Sequence, residues 1–337
     1  MIDFSEQNLD DMDFGRIDLS GSIFNKSSLK RAKFIGGTYR NSLFEELQPD
    51  ALEDTEFSFS DFSGASIVDY DGAQSVPFIS SELHGASFSE VHAPLSLEGC
   101  TSNTLTLHDG FGTLTIQDGS HDEIKIVLGV HDDSVFEDTT VKLYLNQSAM
   151  RRAVVSNSDY FIEEMDGNIE GLTLDQSKGT LVTKNDPFFR NLTVKGGELN
   201  LLNKRLYNFE FGDQCWIRFS RPTRSFEKGK MNLGKYVFLN RDVYFEGIKC
   251  ENADLLGKGV QFLNFAQVEV LKSTFVRFSI ADGTTFYNCD FKDVEFYKCD
   301  LGSASFINCR FKNVDFTTSN TSNITLTRCI RNGVKGL

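Results

Sequence analysis

The chain has 337 residues, 31 of them Phe against a single Trp, and a formal net charge of −14 from 48 Asp and Glu and 34 Lys and Arg. No apolar run is long enough to span a bilayer, and no basic-then-apolar amino terminus resembles a signal peptide, so a soluble, unprocessed protein with no membrane partner is expected. The length would suit two globular domains, but an internal repeat predicts one body that grows in one direction and has no such limit.

The repeat starts at once. Ile2-Asp3-Phe4, Gln7-Asn8-Leu9, Met12-Asp13-Phe14 and Ile17-Asp18-Leu19 are followed by Phe24, Leu29, Phe34, Tyr39 and Phe44 at the same five-residue phase. Five matches neither the 3.6 of a helix nor the 2 of a simple strand, so the unit turns a corner every five residues. A large residue and a small one two positions earlier both point inward only if the chain between them is extended. If a coil takes about twenty residues, Asp10, Asp11 and Asp13 stack against Lys30, Arg31 and Lys33 and pin the register.

Glu45 to Glu56 breaks the phase with a proline and a charge cluster, and reads as a surface loop or one short helical turn. The fives resume at Phe57, Phe62 and Ile67, then slip to Phe78, Leu83 and Phe88. From about Leu95 to Phe219 they fade into short alternating segments near ten-residue intervals, such as Leu105-Thr106-Leu107, Leu114-Thr115-Ile116 and Leu192-Thr193-Val194. A degenerate continuation of the repeat is the expectation, with an inserted β-sandwich as the alternative. Asn146 to Asn168 lacks the pattern and reads as a loop or short helix. Past Val243 the fives return at Phe245, Cys250, Leu255, Val260, Phe265, Val270, Phe275 and Ile280, and one extra residue then moves the phase to Phe286.

The clearest stretch is Thr284 to Phe316, where Cys289-Asp290-Phe291, Cys299-Asp300-Leu301 and Val314-Asp315-Phe316 each set a small residue, an Asp and a large apolar residue in sequence. This resembles the pentapeptide-repeat family, whose consensus is a small residue, Asp or Asn, then Leu or Phe, and two free positions. The resemblance implies an all-β, right-handed parallel β-helix with four sides. The expected organisation is repeat β-helix at 1–94, a degenerate section with inserted loops at 95–242, and repeat β-helix at 243–337. Asp290 is expected over Arg310, and an open solenoid end offers a route to a homodimer.

Of the seven cysteines, Cys289, Cys299 and Cys309 take the small inward position, which favours thiols packed as small hydrophobes over a zinc site. No cofactor or metal is expected. Unpaired core thiols point to a reducing, cytoplasmic compartment, with export as an effector left open.

Charge is polarised along the chain. Residues 63–140 hold thirteen Asp and Glu against Lys125 alone, while from Val141 onward Lys and Arg outnumber Asp and Glu, 27 to 22. Asp109, Asp118, Asp122, Glu123, Asp132, Asp133, Glu137 and Asp138 are the candidate partner-binding acids. His108-Asp109, His121-Asp122 and His131-Asp132-Asp133 read as turn chemistry, with metal ligation or acid/base work as the alternative. The second candidate is a basic loop, Trp216 to Lys235, with Trp216, Arg218, Arg221, Arg224, Lys228 and Lys230 as contact residues.

These features favour a non-enzymatic binding protein with a protein partner and no direct nucleic-acid contact. The family resemblance implies an acidic DNA mimic acting on a DNA-binding protein such as a type II topoisomerase. The alternatives are a bacterial effector or adaptor that uses the solenoid as an interaction scaffold, and a carbohydrate-active or phage receptor-binding β-helix.

Overall fold

A computed structural model describes residues 1–165, 168–183, 189–202, 205–211, 215–219, 225–232, 236–239, 243–251, 254–257, 263–278 and 284–337. Their regular structure is entirely β: short strands that pair in parallel with the strands one coil earlier and one coil later, forming a β-solenoid. The chain divides into two compact units, Met1–Glu170 and Gly171–Leu337.

In the first unit the opening coils take twenty residues, as the bridges Asp3↔Ile23, Asn8↔Ser28 and Asp13↔Lys33 show. The Asp or Asn that recurs before each large residue closes its own turn. Asp3, Asn8, Asp13 and Asp18 accept the backbone N–H two residues on at 2.8–3.0 Å. The corner that follows is left-handed, with φ of 59° at Glu6, 62° at Asp11 and 58° at Arg16. Such a conformation costs a side-chain-bearing residue roughly 1–2 kcal/mol. The corner N–H offsets part of this by donating to the next coil, Glu6 to the Asn25 carbonyl at 2.8 Å and Asp11 to that of Lys30 at 2.9 Å.

Large residues at equivalent positions form columns down the core. Phe24 stacks on Phe4 at 5.0 Å and on Phe44 at 4.7 Å between ring centroids. The neighbouring column runs Phe14, Phe34, Phe57, Phe78 at 5.0, 5.1 and 4.8 Å. Of the expected charge pairs, Arg31 clasps Asp11 with two bonds of 2.7 and 2.8 Å. Lys30 instead reaches Glu53 at 3.1 Å, and Asp13 is engaged by the Gly15 N–H.

The stretch Glu45 to Glu56 is a run of turns that adds three residues to one coil, so Phe34 pairs with Phe57. It is more than a surface excursion, because Ala51 and Leu52 fill the inward positions.

From Leu95 to Glu170 the repeat has not dissolved. Inward pairs continue as Cys100/Ser102, Leu105/Leu107, Leu114/Ile116, Ser134/Phe136, Thr139/Val141, Ser148/Met150 and Ser158/Tyr160, all buried. What changes is the coil, which shortens to nineteen residues in registers such as Leu95↔Leu114, Leu105↔Ile124 and Val135↔Val154. One side then carries four residues instead of five, as between Thr139 and Leu143 and between Ser158 and Ile162. The described residues of Asn146 to Asn168 form no helix, and contribute the strands Ala149–Arg151, Val154–Ser156 and Asp159–Met165. Parallel pairing also rules out a sandwich here, whose sheets are antiparallel.

In the second unit the basic stretch is not one loop. Cys215–Phe219 pairs with Gly197–Leu201, and Ser225–Asn232 pairs with strands on both sides. Later coils return to twenty residues, apart from one extra residue between Asn264 and Thr285, where the phase shift was expected. Phe275, Phe296 and Phe316 stack at 4.6 and 4.5 Å. Asp290 lies in register with Arg310, 3.7 Å from its guanidinium.

Cys100, Cys250, Cys289, Cys299 and Cys309 are buried, and Cys329 is half-buried. Burial pushes the Cys100 and Cys299 thiols up to about 11 and Cys250 to about 12. Iodoacetamide at pH 8 is expected to alkylate Cys329 before these five, which should react only as the coils open. Equal rates at all six, followed by peptide mass mapping, would contradict a packed thiol core.

Candidate functional site: an acidic corner of the first unit

The residue after each strand's outward position occupies a left-handed corner, and stacking aligns successive corners into a row. Glu46, Asp69, Glu90 and Asp109 occupy one such row, with φ of 48°, 53°, 56° and 51°. The registers Glu45↔Val68, Val68↔Ser89 and Ser89↔His108 place them on consecutive coils. Glu46, Asp69 and Glu90 are exposed and Asp109 is half-buried. Carboxylates spaced by one coil, about 4.8 Å, repel by roughly 1 kcal/mol per neighbour in water. Lys26, one coil earlier in the same row, meets Glu46 at 3.2 Å. At the other end the row continues as Leu128.

Only Asp109 of this row was among the candidate acids. Glu46, Asp69 and Glu90 were missed because their spacings, 23, 21 and 19 residues, follow the changing coil length and show no fixed period. The other candidates spread around the unit. Asp118 and Asp138 share a different corner row, with φ of 51° and 48°, beside Glu137, which accepts the Gln117 amide at 2.8 Å. Asp122 and Glu123 lie in the strand Ser120–Val127, where Glu123 pairs with Lys125 at 3.3 Å. Asp132 is 3.8 Å from Arg151 and 3.6 Å from Arg152, and Asp133 takes two bonds of 2.7 Å from Arg152. That guanidinium holds the Asp133 carboxyl below its ordinary range.

The His-Asp pairs are not all turn residues. His121 and His131 point into the core at positions a Phe or Leu fills elsewhere, whereas His108 is exposed. His121 Nδ1 shares a 2.8 Å hydrogen bond with the Ser102 hydroxyl, and His131 Nδ1–H donates to the Gly112 carbonyl at 3.0 Å. Neither Nε2 has a partner. Among the described residues no three His, Cys, Asp or Glu side chains converge as a metal site.

Of the basic candidates, Trp216 and Arg218 belong to Cys215–Phe219, and Lys228 and Lys230 to Ser225–Asn232. Arg221 and Arg224 lie outside the described residues. Among the described residues no helix is long and apolar enough to cross a membrane.

No family model matches the chain, and no curated protein matches it. Among solved structures it is similar to HetL, a pentapeptide-repeat protein involved in heterocyst differentiation regulation from the cyanobacterium Nostoc sp. strain PCC 7120. That match has 10% identity, covers 98% of this chain and 90% of HetL, and has a TM-score of 0.18. It is also similar to QnrB1, a plasmid-mediated fluoroquinolone resistance protein, at 12% identity over 95% of this chain and 91% of that one, with a TM-score of 0.15. The five-residue phase, and the parallel β-solenoid it builds with two inward residues per side, are consistent with the pentapeptide-repeat family.

Proposed function

We propose that this protein is a binding protein whose first unit presents an acidic surface to the cationic, DNA-binding face of a protein partner, with a type II topoisomerase as the specific candidate. Linear charge density is the observation that supports this reading. Residues 63–140 carry a net charge of −12 with His neutral, on close to four coils. At about 4.8 Å per coil this is one negative charge per roughly 1.6 Å of axis, and duplex DNA carries one per about 1.7 Å. The coils as a whole thus carry a duplex-like charge per unit length, of which the corner row presents one carboxylate per coil to a partner. The unpaired buried thiols suit a reducing compartment.

The test is a supercoiling assay with purified DNA gyrase. The parent protein should inhibit supercoiling, or protect it from a quinolone, and the combined variant Glu46→Gln, Asp69→Asn, Glu90→Gln, Asp109→Asn should need at least about tenfold more protein for the same effect. No effect of the parent at large molar excess would remove topoisomerase mimicry as the function.

A further inference from the structure

The acidic corner row is continued by one apolar residue, Leu128, before Gln147 on the coil after it. Leu128 takes the corner position one coil beyond Asp109 and is 45% exposed. Phe111, 46% exposed, stands on the adjoining side two residues past Asp109, in register with His92 on one coil and Val130 on the next. Its ring lies 5.0 Å from the His92 imidazole. Most other exposed large apolar side chains among the described residues belong to the first coil, as Ile2, Met12 and Ile17 do, or to the last residues, as Ile330 and Leu337 do. Phe111 and Leu128 sit instead in the middle of the unit, as does Phe59, 66% exposed, on a different corner row. Leu128 is in register with Asp109 and Val130 with Phe111, so Phe111 and Leu128 lie on adjacent coils within two residues of the same corner, with four carboxylates running away along one row.

We propose that Phe111, Leu128 and Val130 form an apolar anchor at the end of the Glu46, Asp69, Glu90, Asp109 row, and that this surface docks a cationic protein segment carrying apolar side chains beside its lysines or arginines. The inference rests on the reading of the acidic corner as the binding surface and adds the partner's chemistry. A purely duplex-like surface would need nothing but positive charge opposite it. Here a partner that also buries Phe111 and Leu128 removes apolar area from water, the term that holds interfaces together once charge has steered the encounter. Four carboxylates repel nucleic acid and the same corner of a second copy, so charge complementarity leaves a basic protein segment as the occupant. Aromatic residues, Phe among them, are enriched in protein–protein interfaces.

The experiment compares two short synthetic peptides of equal charge, one alternating lysine with leucine and one alternating lysine with serine, titrated onto the full chain at fixed ionic strength. The lysine-leucine peptide is expected to bind at least about tenfold tighter. The double variant Phe111→Ser, Leu128→Ser should remove that preference. Both residues are exposed, so the fold should survive, which a thermal melt checks. Neutralising the acidic row should weaken both peptides and flatten the dependence on salt. Equal affinities in the parent, or a leucine preference that persists in the double variant, overturns the anchor and leaves the acidic corner standing. If neither peptide binds the parent, the corner itself is not a binding surface, and the anchor falls with it.

Discussion

Replacing Phe34 with Ala is expected to destabilise the first unit by about 4 kcal/mol, read as a lowered urea midpoint for that unit's transition. Phe34 is fully buried. Its ring stacks on Phe14 at 5.0 Å and Phe57 at 5.1 Å, and meets Phe24, Tyr39 and Phe44 edge-on at 5.7, 5.1 and 5.9 Å. Loss of the ring leaves a cavity between three coils whose backbones are held apart by their own hydrogen bonds, so the site cannot collapse around it. Phe34→Leu should cost well under half as much, since Leu occupies the same inward position at Leu9 and Leu29. A Phe34→Ala midpoint equal to the parent's would show that the ring columns are not what hold the coils together.

The second large effect is loss of stability on acidification. His121 has no exposed surface, and burial pushes its imidazole down from 6.5 to about 4. Burial also lowers His131, against the Gly112 carbonyl and Asp132. A group with a depressed folded-state pKa binds its proton more readily in the unfolded chain. Its contribution is therefore complete above about pH 6.5 and is lost as the pH falls toward 4. For His121 the full loss is about 3 kcal/mol, at 1.36 kcal/mol per pKa unit. Chemical unfolding at several pH values between 4.5 and 7 should show the decline, and His121→Leu should flatten much of it. The slope that survives in that variant belongs to His131. Carboxylates paired in the fold, such as Asp11 and Asp133, are held below their ordinary range and lose their contribution at lower pH than the histidines. An unchanged slope in His121→Leu would mean that the imidazole is solvated in solution.

Much of this architecture can be read without coordinates. The inward pairs from Ser22 to Phe44 and from Thr284 to Phe316, the extra residue before Phe286 and the Asp290 to Arg310 pairing all follow from a five-residue phase, because every side repeats the same local geometry, whereas Ile2, Met12 and Ile17 of the first coil stay exposed. Residues 95–170 concealed the same rule for two local reasons. Ser and His occupy the inward positions at Ser102, His121 and His131, so the apolar signal drops although the side chains remain buried. One four-residue side per coil also breaks the count.

The chain by itself determines the repeat, its inward residues and the negative charge of 63–140, since these depend on neighbours within five residues or on composition. Where the coil length varies, which outward residues stand together was decided only by tertiary structure. Glu46, Asp69, Glu90, Asp109 and Leu128 share a row because coils of 23, 21 and 19 residues each close to the same spatial period, the spacing of paired strands. That period is fixed by backbone hydrogen bonds between coils, whereas the number of residues needed to span it varies with each insertion and each shortened side. A surface row that crosses coils of unequal length is therefore invisible to any constant sequence interval, and the acidic corner with its apolar end emerges only once the registers are known.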